Sequence, residues 1–200
     1  MVTISAHARS GLEELTFQVP TGSVAFAGSR HTRVPEEITV PLVRAVYTDG
    51  FSLLTGCAPG VDQSFRTVLA RPEYAHVSLI ACAFPSRART LRTRSLAAVT
   101  VVPRGLTARQ ALARRTVWMV RRASVLVLFP EHPQTGRWGP GSTLAFRTAA
   151  HNLTPVFVVA ASSPPDSLLY RIVPGKLFGV VSGFWTVPHP LFKGGPCDEI

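Results

Sequence analysis

Residues 53–62 read Leu53-Leu54-Thr55-Gly56-Cys57-Ala58-Pro59-Gly60-Val61-Asp62, an apolar run, a turn carrying two glycines, and the opening of a helix. Backbone N–H groups at a helix start are unpaired and lie at the positive end of the helix dipole, so a tight glycine turn lets an anion approach them. The same design occurs upstream, where Val24-Ala25-Phe26-Ala27 runs into Gly28-Ser29-Arg30, and downstream, where Val125 to Phe129 precedes Gly139-Pro140-Gly141-Ser142-Thr143. Three strand-to-glycine-turn units predict one composite site for a nucleotide.

The flanking sequence keeps a β-α beat. Val24 to Ala27 is a short continuous apolar strand of the kind buried on both faces of a parallel sheet. Thr39 is the expected cap of a helix with Pro41 in its first turn, ending at Asp49-Gly50. Phe51 to Thr55 is a second strand, Val61 to Ala70 a helix, and Val77 to Phe84 a third strand. Pro85 to Arg94 reads as an arginine-rich connection, and Ala97 to Val102 as a fourth strand. Thr107 with Gln110 makes a capping box for a helix to about Arg122. Ser124 to Phe129, Ser142 to Asn152 and Pro155 to Ala160 complete the series as strand, helix and strand. Such alternation predicts an α/β, Rossmann-like, doubly wound and mostly parallel sheet with helices on both faces, binding ligands at the strand C-termini. The expected divisions are a lead-in over 1–22, the Rossmann-like domain over 23–160, and a Pro/Gly-rich appendage of edge strand and loop over 161–200.

The 200 residues, 46% hydrophobic, suffice to bury a full core without disulfide or metal. Three cysteines, Cys57, Cys82 and Cys197, form no C-x-x-C pair and suit a reducing compartment, so the cytoplasm is the expectation. No apolar run approaches membrane-spanning length, and no membrane partner is expected. The net charge of +10 predicts attraction to polyanions. Nearly all of the basic excess is arginine, with lysine only at 176 and 193, which a GC-rich genome would also write. The histidines lack metal-site spacing, so no metal is expected, and neither a G-x-S-x-G elbow nor a Walker A pattern occurs.

The order Gly28-Ser29-Arg30, then Gly56-Cys57-Ala58-Pro59-Gly60-Val61-Asp62, then Arg115-Thr116-Val117-Trp118-Met119, then Gly139-Pro140-Gly141-Ser142-Thr143 resembles the SLOG superfamily, in particular its YspA/YpsA-like branch. Lonely Guy phosphoribohydrolases and the Rossmann domain of DNA-processing protein A belong to the same group. The resemblance covers about residues 23–160 and implies a Rossmann-like domain that binds a nucleotide or ADP-ribose-like ligand, with self-association into a homodimer common. Two departures stand out. Thr116 replaces the Asn of the R-N-x-x-M segment, and Phe146 stands where the Lonely Guy motif carries its glutamate. Without that carboxylate, N-glycosidic cleavage of the Lonely Guy type is not expected, and the reading leans away from an enzyme.

Residue by residue, Gly28, Gly56, Cys57, Ala58 and Gly60 form the candidate phosphate cradle, and Ser29 and Arg30 offer a hydroxyl and a guanidinium. Asp62 serves either as a dipole-complementing residue or as a ribose ligand. Arg115, four residues before Met119, is either an exposed helix arginine or a pocket residue. Gly139, Gly141, Ser142 and Thr143 close the opposite wall, where capping and phosphate binding coincide. Cys57 is either a small turn residue or an activated thiol. Two further readings stay open. One is single-stranded nucleic-acid binding along Arg87, Arg89, Arg92 and Arg94, without interleaved aromatics. The other is a nucleotide N-glycosidase using Glu36, Glu37 or Asp62.

Overall fold

The computed structural model describes residues 4–7, 14–17, 22–94, 96–131, 138–164 and 170–188. In chain order the elements are β1 (Ile4–His7), β2 (Glu14–Phe17), β3 (Ser23–Gly28), α1 (Glu36–Thr48), β4 (Ser52–Gly56), α2 (Val61–Leu69), α3 (Pro72–Ala75), β5 (Ser78–Cys82) and α4 (Pro85–Arg92). They continue as β6 (Ala98–Thr100), α5 (Ala108–Val120), β7 (Val125–Phe129), α6 (Pro140–His151), β8 (Val156–Val158), β9 (Tyr170–Leu177) and β10 (Val181–Pro188). Within the lead-in, β1 and β2 pair antiparallel with each other.

The main sheet runs β6-β5-β4-β3-β7-β8-β10-β9. Its first six members pair parallel, and β10 joins β8 antiparallel. The expected doubly wound architecture is therefore present. Successive strands β3 to β6 step outward in one direction, and α5 then returns the chain to place β7 on the other side of β3. The reversal between β3 and β7 is a topological switch point, where the loops leaving two adjacent strands diverge and open a crevice.

Helices cover both faces. On one face, Leu42, Val43 and Val46 of α1, Phe65, Val68 and Leu69 of α2, and Leu91 of α4 pack into a single core with Val24, Phe26, Leu53 and Val127. Phe65 stacks on Phe26 with ring centroids 4.0 Å apart and tilts against Phe129. On the other face, Met119 and Val120 of α5 and Ala145, Phe146 and Ala149 of α6 cover Ala25, Leu54, Leu126 and Val158. Every residue of β7 is buried, as its unbroken apolar sequence predicts for a central parallel strand.

Three elements differ from the sequence expectation. α1 starts at Glu36 rather than after Thr39, because Pro35 fixes an extended turn into the helix and Glu36 and Glu37 complement its dipole. Thr39 is buried inside that helix, bonding back to the Pro35 carbonyl, and Pro41 also lies within it. The connection over Pro85 to Arg94 folds as α4, with Pro85 at the first helical position. Residues 170–188 of the expected appendage form the β9–β10 hairpin, with β9 at the edge, a longer addition to the main sheet than the single edge strand expected. Its Val173, Leu177, Val181 and Trp185 enter the same core as α1 and α2, so this segment is continuous with the domain.

Phe65→Ala removes the ring that joins β3 and β7 to α2 and should cost about 3–5 kcal/mol of stability in urea denaturation. A midpoint equal to that of the parent would contradict this packing.

Candidate functional site

The glycine turns meet at the carboxyl ends of β3, β4 and β7. Gly28, the last residue of β3, pairs in register with Phe129, the last of β7. A Cβ at Gly28 would strike the Phe129 carbonyl oxygen, so glycine is required by close approach. Gly60 has φ +70°, and a Cβ there would meet the Ser29 and Arg30 backbone. The two turns are also tied directly, with Val61 N–H donating to the Ser29 carbonyl at 3.0 Å.

Between the turns lies a buried ion pair. Arg115 Nη1 donates to Asp62 Oδ2 at 3.0 Å, with residue exposures of 6% and 4%. The same carboxylate oxygen accepts the Ala58 N–H at 3.1 Å. Arg66, one helical turn after Asp62, donates to the Gly56 carbonyl at 2.7 Å and the Ala58 carbonyl at 2.8 Å. A Cβ on Gly56 would fall on the Arg115 guanidinium and the Asp62 carboxylate, which explains the glycine without any unusual φ. Burial lowers the Arg66 pKa, while Asp62 opposes that shift.

Above this pair opens a cavity of about 820 Å³. Ala27 and Gly28 form one wall and Arg30 and Ala58 another, with Asp62 and Arg115 at the base. One face of α5, from Arg109 through Leu112 and Thr116 to Met119, and the α6 start at Pro140 and Gly141 complete it. Arg30 is exposed at the rim, whereas Ser142 is 2% exposed. Arg115 Nε, on the lining, and Ser142 Oγ, which is not on it, are buried without a hydrogen-bond partner among the described residues. No side chain caps the N-terminus of α6.

Of the residues expected from sequence, Gly28, Arg30, Ala58, Asp62, Arg115 and Gly141 line the cavity. Ser29, Gly56, Cys57, Gly60, Gly139, Ser142 and Thr143 do not line it. Ser29 is 7% exposed, and its Oγ accepts the His31 N–H at 3.0 Å. Thr143 Oγ1 donates to the Gly139 carbonyl of its own helix. Thr116, at the position of the departed Asn, lines the cavity and donates to the Leu112 carbonyl. Phe146 is buried edge-on against Trp138 and Tyr170. Glu36 lies 3.9 Å from Arg71, and neither Glu36 nor Glu37 lines the cavity.

Cys57 belongs with the core on the α1 and α2 side, beside Cys82 at the end of β5. A hydrogen bond from the Cys82 thiol is the main cause that lowers Cys57 to about 6, with Arg115 assisting and burial opposing. The same bond raises Cys82. Arg87, Arg89, Arg92 and Arg94 are all exposed. At 100° per residue, Arg87 and Arg89 point about 200° apart on α4, and Arg92 is engaged with the Ala98 carbonyl at 3.2 Å. They do not form a single helical stripe.

Sequence reasoning missed Arg66, Arg109 and the pairing of Asp62 with Arg115. Arg109, Leu112, Thr116 and Met119 follow a helical i, i+3, i+7, i+10 spacing, a signal visible in the sequence. The ion pair spans 53 residues and had no local signal.

No family model and no curated protein matches this chain. Two solved structures of DNA processing protein A are among those that share its fold. DNA processing protein A from Helicobacter pylori, described for its unique single-stranded DNA binding mode, is 16% identical with a TM-score of 0.52, covering 75% of this chain and 67% of that one. DNA processing protein A (DprA) from Streptococcus pneumoniae is 15% identical with a TM-score of 0.51, covering 76% of this chain and 53% of that one. The chain thus spans only about half the length of the pneumococcal protein. Among the described residues, no helix is long and apolar enough to cross a membrane.

Arg115→Ala leaves Asp62 buried and unpaired and should cost about 3–5 kcal/mol in chemical denaturation. Combined with Asp62→Ala, the loss should fall well below the sum of the single losses, and strict additivity would contradict the coupling. Native alkylation of Cys57 by iodoacetamide should reach half its maximal rate near pH 6. A midpoint in the ordinary thiol range near 8.5 would refute the activated thiol.

Proposed function

We propose that the cavity binds a nucleotide or ADP-ribose-like derivative, with its phosphate against the uncapped start of α6 and the Gly28-Ser29-Arg30 turn. The observation that carries this reading is Arg115 Nε, a buried donor of a cavity-lining residue that lacks a partner among the described residues. A buried unsatisfied donor costs about 1–3 kcal/mol, which an anionic oxygen would recover. Helix N-termini favour anions, and Arg30 and Arg109 at the lining add charge that Asp62, already neutralised by Arg115, does not cancel. The apolar lining residues Leu112, Ala113, Met119 and Leu144 suit a base or sugar face. The volume falls within the about 300–1,000 Å³ usual for small-molecule sites. The SLOG-like order of motifs supports the same ligand class. With Phe146 at the glutamate position, the reading is of a binding module.

Thermal-shift titration against nucleoside mono- and diphosphates and ADP-ribose tests it. One ligand class should raise Tm in a saturable way that persists in moderate salt. Arg30→Ala should weaken that ligand about tenfold or more, the value of one charged hydrogen bond, with the Tm of the free protein unchanged. No response to any member of the panel would overturn the proposal.

A second reading has its own support. The neighbours are DNA processing proteins, one described for single-stranded DNA binding, and this chain carries +10 with exposed arginines on and after α4. In that reading the arginines contact backbone phosphates. Oligonucleotide affinity should then fall with a log–log salt slope of about −0.7 for each phosphate neutralised, and grow with strand length. Arg87→Ala with Arg89→Ala should flatten the slope. Affinity indifferent to both salt and length would remove this reading.

A further inference from the structure

Cys57 and Cys82 share one place in the fold. β4 and β5 are parallel neighbours whose last in-register pair is Gly56 with Ala81, and Cys57 and Cys82 follow those two residues directly. Adjacent strands lie about 4.7–4.9 Å apart, within the Cα separation of about 4.4–6.8 Å that a disulfide spans. Both side chains enter the same core cluster, so they face the same side of the sheet. Both are free thiols, and the Cys82 thiol donates to the Cys57 sulfur. Cys57 keeps 6% exposure whereas Cys82 has 0%, so oxidant reaches the pair from the Cys57 side.

We propose that Cys57 and Cys82 form a reversible dithiol–disulfide pair that responds to hydroperoxides. The Cys57 thiolate attacks one oxygen of hydrogen peroxide, the O–O bond breaks, and the departing hydroxide takes a proton to become water, leaving a sulfenic acid on Cys57. The Cys82 sulfur then attacks that sulfur. The S–S bond forms, the S–O bond breaks, and hydroxide leaves with the Cys82 proton as a second water. Two thiols are oxidised and one peroxide is reduced to two waters. A dithiol such as dithiothreitol reverses the change by exchange.

The bond would act on the cavity through the turn. Cys57 lies between the Gly56 and Ala58 carbonyls that Arg66 holds, and next to the Ala58 N–H that Asp62 accepts. Drawing Cys57 toward Cys82 moves those groups and with them the base of the cavity. Disulfide formation does not depend on which ligand the cavity takes.

The test treats the full chain with hydrogen peroxide, blocks remaining thiols under denaturing conditions, and maps peptides without reduction. A peptide joining Cys57 to Cys82 should appear, the protein should lose two hydrogens, and dithiothreitol should restore both thiols. In Cys82→Ser, which removes the resolving thiol and keeps a hydroxyl donor beside Cys57, Cys57 should instead be trapped as sulfenic acid and progress to higher oxides. Hydrogen exchange of the peptide spanning 56–62 should differ between the two states of the parent protein. Persistence of both thiols, a bond from either one to Cys197, or overoxidation of Cys57 in the parent would overturn the pair. An exchange pattern identical in both states would overturn its link to the turn.

Discussion

A single buried ion pair organises the carboxyl end of this sheet. Asp62 comes from α2, which packs on one face, and Arg115 from α5, which packs on the other. Their contact at 3.0 Å passes over Gly56 at the end of β4 and joins the two layers above the strand ends. Two desolvated charges are costly unless each is paired and its remaining hydrogen-bonding atoms are satisfied. Asp62 meets that condition by also accepting the Ala58 N–H, and Arg66 braces the same turn from below. The constraint reaches back into the sequence, since no residue with a Cβ fits at Gly56 while the pair is intact.

The consequence for function is a cavity whose base is electrically balanced and whose rim is basic. Asp62 is spent on Arg115, so the cationic character from Arg30 and Arg109 and the uncapped start of α6 is left facing the opening. This is the arrangement expected of a site for a phosphate-bearing ligand at a topological switch point. The likeness to DNA processing protein A is one of architecture at 15–16% identity, and architecture of this kind serves many chemistries. What separates a small nucleotide from a polynucleotide is therefore local. The cavity is a concave, open-mouthed feature bounded by the β3 and β4 turns, α5 and the start of α6, whereas the α4 arginines are dispersed over an exposed surface.

The central architecture was legible because its signals are local. Val24 to Ala27 and Val125 to Phe129 are unbroken apolar runs, which only a doubly covered parallel strand accommodates, and Thr107 with Gln110 forms the capping box that its spacing implies. What was illegible depended on distant partners. The polar, arginine-rich segment at Pro85 carries weak periodicity, and it folds as α4 because Ala88 and Leu91 find a core to enter. The β9–β10 hairpin is interrupted by Pro174 and Gly175 and gains its place by pairing with β8. In the site, Gly28 and Gly60 could be read from turn chemistry. Gly56 could be read as a required glycine, but its reason lay in the guanidinium that Arg115 brings from 59 residues away.

The most direct measurement is an amide chemical-shift map of the isotope-labelled protein titrated with a nucleoside monophosphate. Saturable shifts at Gly28, Ala58, Gly141 and Ser142, with the α4 amides of Arg87 and Arg89 unmoved, are the expected result. Shifts confined to α4, with the cavity residues silent, would contradict the assignment of the switch-point cavity as the binding site.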